Sequence, residues 1–426
     1  MSTGHPNGDK PLSPYRVLDL TEGGCNLAGK ILADLGADVI RIEPPFGSPT
    51  RCTGPFHDNR VHPEASLFWL AFNLNKRGIT LDIETADGLA ILQKLVASAD
   101  IVIESMGKRK LSPLGAWYDD VRGDNRSLIW ASLTGFGQDG PYAHFEYTDI
   151  VLWASSGLQY ASGDPDRPPV RISVPTAEAV MGAHAASGIM HALWYRVNHG
   201  EGQLVDVSGQ VATLTANMAV SAYATNETPI KREGEFRDVG YTRMRQLYRC
   251  KDGYVSCFMM QGKWGAAFNG RLAGWMIEDG KAPDYFNGFD WADWTPGVKM
   301  MKGLADEANE EVRMIEEPVQ RFFETKTKSE IFERALKDEL LLAPVLTTAD
   351  LHAWDHLKDR EFWRKVDHPE LGGAVTYPGP FIKMSETPIE MRRRAPLIGE
   401  HNREIYVEEL GYSDDDLRTL CGTGAI

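Results

Sequence analysis

The sequence predicts an α/β fold: a doubly wound large domain interrupted by a smaller, inserted α+β domain. Three observations lead there. Short apolar runs with strand character alternate with segments of helical period, the pattern of a parallel sheet covered by helices. Several of these runs end in turns that contain glycine. Between residues 222 and 330 the texture changes to a hairpin followed by an irregular stretch rich in aromatic residues, Asp and Gly.

The first fourteen residues are polar and rich in Pro and Gly, and are expected to form a flexible tail. YRVLDL then reads as a strand, TEGG as a turn, and NLAGKILADLG as an amphipathic helix ended by Gly36. ADVIRIE follows as a second strand and completes a β-α-β unit. GITLDI, DIVIES and SLIWASLTGFG continue the strands, with a helix capped by a threonine in TADGLAILQKLVASA. From Thr176 to about Val197 a segment rich in Ala, Gly and Ser has helical period, and its small residues permit close approach of a neighbouring backbone. QLVDVSG is expected to be a strand and QVATLTANMAV a helix. YRCKDGYVSCFMM is a hairpin around Asp-Gly. Helical pattern returns in EEVRMIEEPVQRFFETKTKSEIFERALKDEL and at the C-terminus. The expected organisation is a tail over 1–14, a large domain over 15–221, a small domain over 222–330 and a return to the large domain over 331–426.

A formal net charge of −15 argues against nucleic-acid binding, which shows a basic excess. Five scattered cysteines, Cys25, Cys52, Cys250, Cys257 and Cys421, form no CxxC pair, so neither a disulfide framework nor a structural zinc site is expected. The start lacks the layout of a signal peptide, and no run reaches the roughly 18 apolar residues of a membrane span. These features predict a cytoplasmic enzyme with no membrane association and no permanently bound cofactor or metal.

Candidate site residues fall at strand ends, where open α/β sheets bind ligands. The turn Thr21-Glu22-Gly23-Gly24 offers backbone amides, although a tight structural turn accounts for its glycines equally well. No GxGxxG is present, which counts against a nicotinamide oxidoreductase. Asn73-Leu74-Asn75-Lys76-Arg77 and Met106-Gly107-Lys108-Arg109-Lys110 carry cations suited to phosphates, with solvated surface charge as the alternative. Leu133 to Pro141 is a glycine-dense turn that needs no ligand to explain it. Glu178 lies in the first turn of the small-residue helix, where the helix dipole favours an acid in any case. His184 and His191 share one face of that helix and are expected to be packed.

Taken together, RVLDLTEGG, AGKILADLGADVIRIEPP, FNLNKRGITLDI, ADIVIES, WASLTGFGQDGPY, PPVRISVPTAEAVMGAHAASGIMHALWYRVNHGEGQLVDVS and APLIGEHNREIYVEELGYSDDDL resemble, in order, the family III CoA-transferases. The resemblance implies an interlocked dimer, acyl-CoA and carboxylic-acid substrates, and a ping-pong mechanism through a carboxylate nucleophile. It places CoA contacts at Gly23 and Gly24, at Asn73, Leu74, Asn75 and Lys76, at Met106, Gly107, Lys108 and Arg109, and at Thr134 and Phe136. Gln261 and Gly262 resemble the position of the family's mobile glycine loop.

Two departures stand out. The family's catalytic aspartate falls four residues before a helix glycine, and here that residue is Glu178, four before Gly182. The histidine of the family's racemase branch falls at Thr148, beside Asp149, so a racemase is disfavoured. The aromatic run GWMIEDGKAPDYFNGFDWADW resembles the subgroup that activates benzylsuccinate, some of whose members are heteromers with one aspartate-bearing subunit. The resemblance therefore implies transfer from succinyl-CoA to a bulky or aromatic acid such as benzylsuccinate. In one version the chain is the aspartate-lacking partner of a homologous subunit; in the other it is a self-sufficient homodimer with Glu178 as nucleophile.

Overall fold

The structure is a computed structural model, and it describes residues 10–215, 217, 219–226, 231–239 and 242–426. Contacts divide the chain into two units. The first comprises residues 1–159, 171–227 and 356–426; the second comprises 160–170 and 228–355.

The first unit is built on six parallel strands: β1 (Arg16–Leu20), β2 (Asp38–Glu43), β3 (Arg77–Thr80), β4 (Ile101–Glu104), β5 (Ile129–Thr134) and β6 (Leu204–Ser208). Their order is β3-β2-β1-β4-β5-β6. Chain direction across the sheet therefore reverses between β1 and β4, which opens a crevice beyond their carboxyl ends. Strands covered on both faces read as unbroken apolar runs, and here alternate residues feed two cores. Leu18, Ile40 and Val102 pack on one face with Ile91, Leu92 and Leu95 of the helix Ala86–Ala97. Val17, Val39 and Ile101 pack on the other with α1 (Leu27–Asp34) and the long helix Ala177–His199.

Local signals hold where they carry a specific bond. Thr85 caps the helix Ala86–Ala97 by accepting from the Gly88 amide at 3.0 Å. Gly36 takes φ +106° where α1 stops, a region open to glycine. Two expectations are corrected. QVATLTANMAV is not one helix: helices span Gly209–Leu214 and Ala219–Asn226. Nor are residues 10–14 a loose tail, because Leu12 is buried and its amide donates to the Leu35 carbonyl at 3.0 Å; the rest of that segment, 1–9, lies outside the described residues. All five cysteines are free thiols. Among the described residues, no helix is long and apolar enough to cross a membrane.

The second unit contains the expected hairpin, Leu247–Cys250 against Gly253–Cys257, joined through Lys251 and Asp252. Leu342–Pro344 adds a third antiparallel strand. Helices Gly262–Glu278, Ala305–Phe323 and Lys328–Asp338 cover it. The aromatic run, expected to be irregular and linked with a bulky substrate, is helical as far as Glu278, and its rings fill this core: Trp275, Phe286, Trp291 and Trp294 are all buried. Packing explains these rings without a ligand.

Glu316, 7% exposed, accepts from the Arg245 amide at 2.7 Å, and burial pushes its carboxyl up to about 7. The folded state therefore holds a proton that the unfolded state releases near pH 4.5, and stability falls as pH rises between these values. Glu316→Gln, which can still accept from Arg245, is expected to stabilise the protein by about 2–3 kcal/mol at pH 8 and by nearly nothing at pH 4. Urea unfolding at the two pH values checks this.

Candidate active site

At the end of β1 the chain turns sharply. Thr21 is tied back to Asp19 through its amide (3.0 Å) and its hydroxyl (2.6 Å). The Glu22 amide then reaches across the crevice to the Ser105 hydroxyl beyond β4, at 2.9 Å. Gly23 takes φ +58°, which only glycine adopts without strain. The next amide, Gly24 N–H, donates to Glu178 Oε2 at 2.8 Å. The turn picked out at the first strand and the acid picked out 154 residues later are thus in direct contact.

Three features bring Glu178 there. The Ala177 amide, in the first turn of the long helix, donates to Asp149 Oδ1 at 2.7 Å, which fixes the helix start. Gly182, one turn further, lies so close to the first segment that a Cβ on it would stand 3.2 Å from the Ala28 amide nitrogen and the Cys25 carbonyl oxygen. A Cβ on Gly23 would fall 2.3 Å from Glu178 Oε2. Burial raises the Glu178 carboxyl above its ordinary value, with help from the charges of Asp149 and Glu22; the Gly24 amide pulls it down but does not win. Burial holds the Cys25 thiol and the Tyr147 hydroxyl well above their ordinary values. Cys25 is therefore a neutral thiol rather than a nucleophile.

The loops after β4 and β5 share a cavity of about 250 Å³, lined by Ser105, Met106, Arg109, Thr134, Gly135 and Tyr147. Buried Glu104 shapes its wall by accepting from the Met106 and Gly107 amides at 2.6 and 2.7 Å. A Cβ on Gly107 would lie 2.8 Å from Thr134, so only glycine lets these loops meet. Lys108 and Arg109 are exposed, and Arg109 donates to the His144 carbonyl at 2.7 Å. Phe136 sits edge-on to Tyr142 and Phe145. The sequence-selected residues around 106–109 and 134–136 are thereby assembled on one side of the crevice.

The segment 73–76 sits elsewhere. Asn73, Leu74, Asn75 and Lys76 are buried. The Lys76 ammonium donates to Asp19 Oδ2 (2.7 Å), the Asn26 carbonyl (2.9 Å) and Asn73 Oδ1 (2.9 Å), so all three protons are used inside the protein. Its desolvation outweighs the attraction of Asp19 and brings its pKa down to about 8. Asn75 holds the Arg392 and Arg393 amides, and Arg77 is paired with Asp38 and Glu404. Lys76, bonded to Asn73, thus supports the first turn through Asp19, whereas Asn75 and Arg77 tie to other segments. Lys76→Met is accordingly expected to cost about 3–5 kcal/mol in urea unfolding, the loss when one partner of a buried pair is removed. A phosphate contact would instead raise the KM for the thioester and leave stability unchanged.

Gln261 and Gly262 belong to the second unit, where Gln261 precedes the helix Gly262–Glu278 and its side chain accepts from the Gly297 amide at 2.8 Å. His184 and His191 are exposed rather than packed; each Nδ1 meets the carbonyl one turn back, of Val180 and Ser187. Sequence reasoning passed over Arg41, Thr50 and Tyr147. Arg41 did leave a signal, since a cation inside an apolar parallel strand must find a buried partner. It donates to Glu22 Oε1 at 2.9 Å.

A carboxylate in a desolvated crevice with one fixed amide donor suits acyl transfer through a covalent intermediate. The family model described as CoA-transferase family III matches residues 12–402. The chain belongs to CoA-transferase family III. It is 32% identical to the succinyl-CoA:(R)-benzylsuccinate CoA-transferase subunit BbsE of Thauera aromatica, over 97% of this chain and 98% of that one. It is 31% identical to a formyl-CoA:oxalate CoA-transferase of Streptomyces avermitilis, covering 98% and 100%, and 30% identical to the succinyl-CoA:glutarate CoA-transferase of Mus musculus, covering 100% and 93%. A CAIB/BAIF family protein from Brucella suis shares its fold with TM-score 0.76 and 27% identity, covering 94% and 99%. In this CoA-transferase, Glu178 stands where the resemblance expects an aspartate, and its carboxylate is seated against the glycine turn.

Proposed function

We propose that this CoA-transferase moves CoA from succinyl-CoA to a dicarboxylic acid of the benzylsuccinate kind, with Glu178 as the group that carries the intermediate. One observation supports this above the rest: Glu178 Oε2 accepts from Gly24 N–H at 2.8 Å, at the point where the sheet reverses direction. Among the described residues Oε1 receives no hydrogen bond, which leaves one oxygen held and the other able to attack.

The chemistry is the one the family resemblance implies, and that geometry is compatible with it. Glu178 attacks the thioester carbonyl carbon; the C–S bond breaks and CoA thiolate leaves, giving a mixed anhydride. The thiolate then attacks the Glu178 carbonyl carbon, releasing succinate and forming a glutamyl thioester. The acceptor carboxylate repeats the two steps in reverse order, so CoA leaves on the acceptor and Glu178 is regenerated. The choice of donor draws on the Thauera and mouse relatives, whose names state succinyl-CoA, and the acceptor class on relatives named for benzylsuccinate, glutarate and oxalate, all dicarboxylates.

A second reading draws on the word subunit in the name of the Thauera relative. Here the chain is the aspartate-lacking half of a heteromer, and a homologous partner carries the intermediate. Incubation with succinyl-CoA, trapping with hydroxylamine or borohydride, and mass spectrometry separate the two. A modification at Glu178 supports the first reading; a modification confined to a co-purified homologue overturns it in favour of the second.

A further inference from the structure

Resting on the reading of Glu178 as the carrier, we propose that Thr50 is a positioning residue: its hydroxyl locks the Gly23–Gly24 turn so that Gly24 N–H stays aimed at Glu178.

Two consecutive glycines have more backbone freedom than any other pair, and the backbone hydrogen bond that spans them, from Cys25 N–H to the Glu22 carbonyl at 3.2 Å, leaves their own amides to find other partners. Yet its three successive amides are each assigned. Glu22 N–H goes to Ser105, Gly23 N–H to Thr50 Oγ1 at 2.8 Å, and Gly24 N–H to Glu178. A hydroxyl that must accept from Gly23 needs its own proton pointed elsewhere. Thr50 donates that proton to Glu22 Oε2 at 2.7 Å. Glu22 is in turn anchored by Arg41, which is fully buried and also donates to the Asp19 carbonyl at 3.1 Å, and by the Ser48 hydroxyl. Thr50 itself is held by its amide, which donates to Ser48 Oγ at 3.0 Å, and its residue is 4% exposed.

The relay therefore runs from Arg41 through Glu22 and Thr50 to the Gly23 amide. It is directional at each link, and it ends one peptide from the donor that holds Glu178. Among the described residues the Thr50 hydroxyl is hydrogen-bonded to Gly23 and Glu22 and not to Glu178. Its influence passes through the orientation of the Gly23–Gly24 peptide.

The test compares Thr50→Val, which keeps the shape and removes the acceptor, with Thr50→Ser, which keeps the hydroxyl. The full-length protein is used, with any partner that co-purifies. The first readout is the titration of the Glu178 side-chain carboxyl by carbon-13 NMR, assigned with Glu178→Gln; it needs no turnover. The second is the single-turnover rate of hydroxylamine-trapped modification at Glu178 with succinyl-CoA.

Thr50→Val introduces no charge, and loosening the Gly24 bond weakens the one contact that lowers the Glu178 carboxyl, so its titration should rise. Expected are an upward shift in Thr50→Val, a ten- to hundredfold slower trapping rate with an unchanged KM for the thioester, and recovery of both in Thr50→Ser. A wild-type titration curve in Thr50→Val, or a Thr50→Ser variant as impaired as Thr50→Val, overturns the assignment. Absence of any trapped adduct on Glu178 in the unaltered protein defeats the carrier reading instead. The NMR comparison still decides the role of Thr50 in that case.

Discussion

Glu178→Gln is expected to lower CoA transfer on the order of a thousandfold or more while leaving the fold intact, because the amide cannot attack a thioester and a group acting as nucleophile has no substitute. The substitution is nearly isosteric, and the glutamine carbonyl oxygen can still accept from Gly24 N–H. A structural role would survive it. Glu178→Asp tests a different property. Shortening the side chain by one carbon withdraws the carboxylate by about 1.5 Å from an amide now 2.8 Å away, and displacements near 1 Å can cost about a hundredfold. The pH profile follows from the same surroundings. In the proposed mechanism only the ionised carboxyl attacks, and burial places its titration above the ordinary carboxylate range. Thus kcat/KM should fall as pH drops through that raised value and be flat above it. An Asp variant as fast as the parent, or an acid limb at the ordinary carboxylate value, contradicts the described pocket.

Gly24→Ala carries the second large effect. A Cβ at Gly24 would stand 2.8 Å from both the Ala179 amide nitrogen and Glu178 Cβ, closer than real Cβ contacts come. The first of these is backbone in the first turn of a 23-residue helix, so relief requires the whole helix end to move. That motion opens the bond between Gly24 and Glu178. The expected result is a loss of roughly a hundredfold in kcat with a destabilisation of about 1–3 kcal/mol. Gly274→Ala is the control: its Cβ meets nothing within 4 Å, and alanine within a helix should stabilise by about 0.5–1 kcal/mol without touching activity. Equal kinetics for Gly24→Ala and Gly274→Ala contradict the close approach at the turn.

Much of the large domain was legible because its signals are local. RVLDL, DVIRIE and IVIE are short and dominated by Val, Ile and Leu at adjacent positions since both faces of a parallel strand are covered. Thr85 caps a helix whose first residue follows it, and Gly36 ends one by its own backbone freedom. The second unit was legible as a hairpin but not in extent. Its strand partner Leu342–Pro344 and the segment 160–170 join it through contacts distant in sequence. The aromatic residues around 275–294 illustrate the same difficulty, because a ring that fills a core and a ring that lines a pocket have the same one-letter code.

The site divides along that line. By itself the sequence determined the sheet, the Gly23–Gly24 turn at a strand's carboxyl end, and an acid in the first turn of a helix rich in small residues. Family resemblance added that this acid replaces an aspartate. Only the tertiary structure decided that the turn and the acid touch, that Lys76 points inward to Asp19, and that Arg41, Glu22 and Thr50 hold the turn in place. The physical reason is burial. A charge in water shows nothing of its purpose, whereas a buried one must find a partner, and for Glu178 and Lys76 the fold supplies that partner from 154 and 57 residues away.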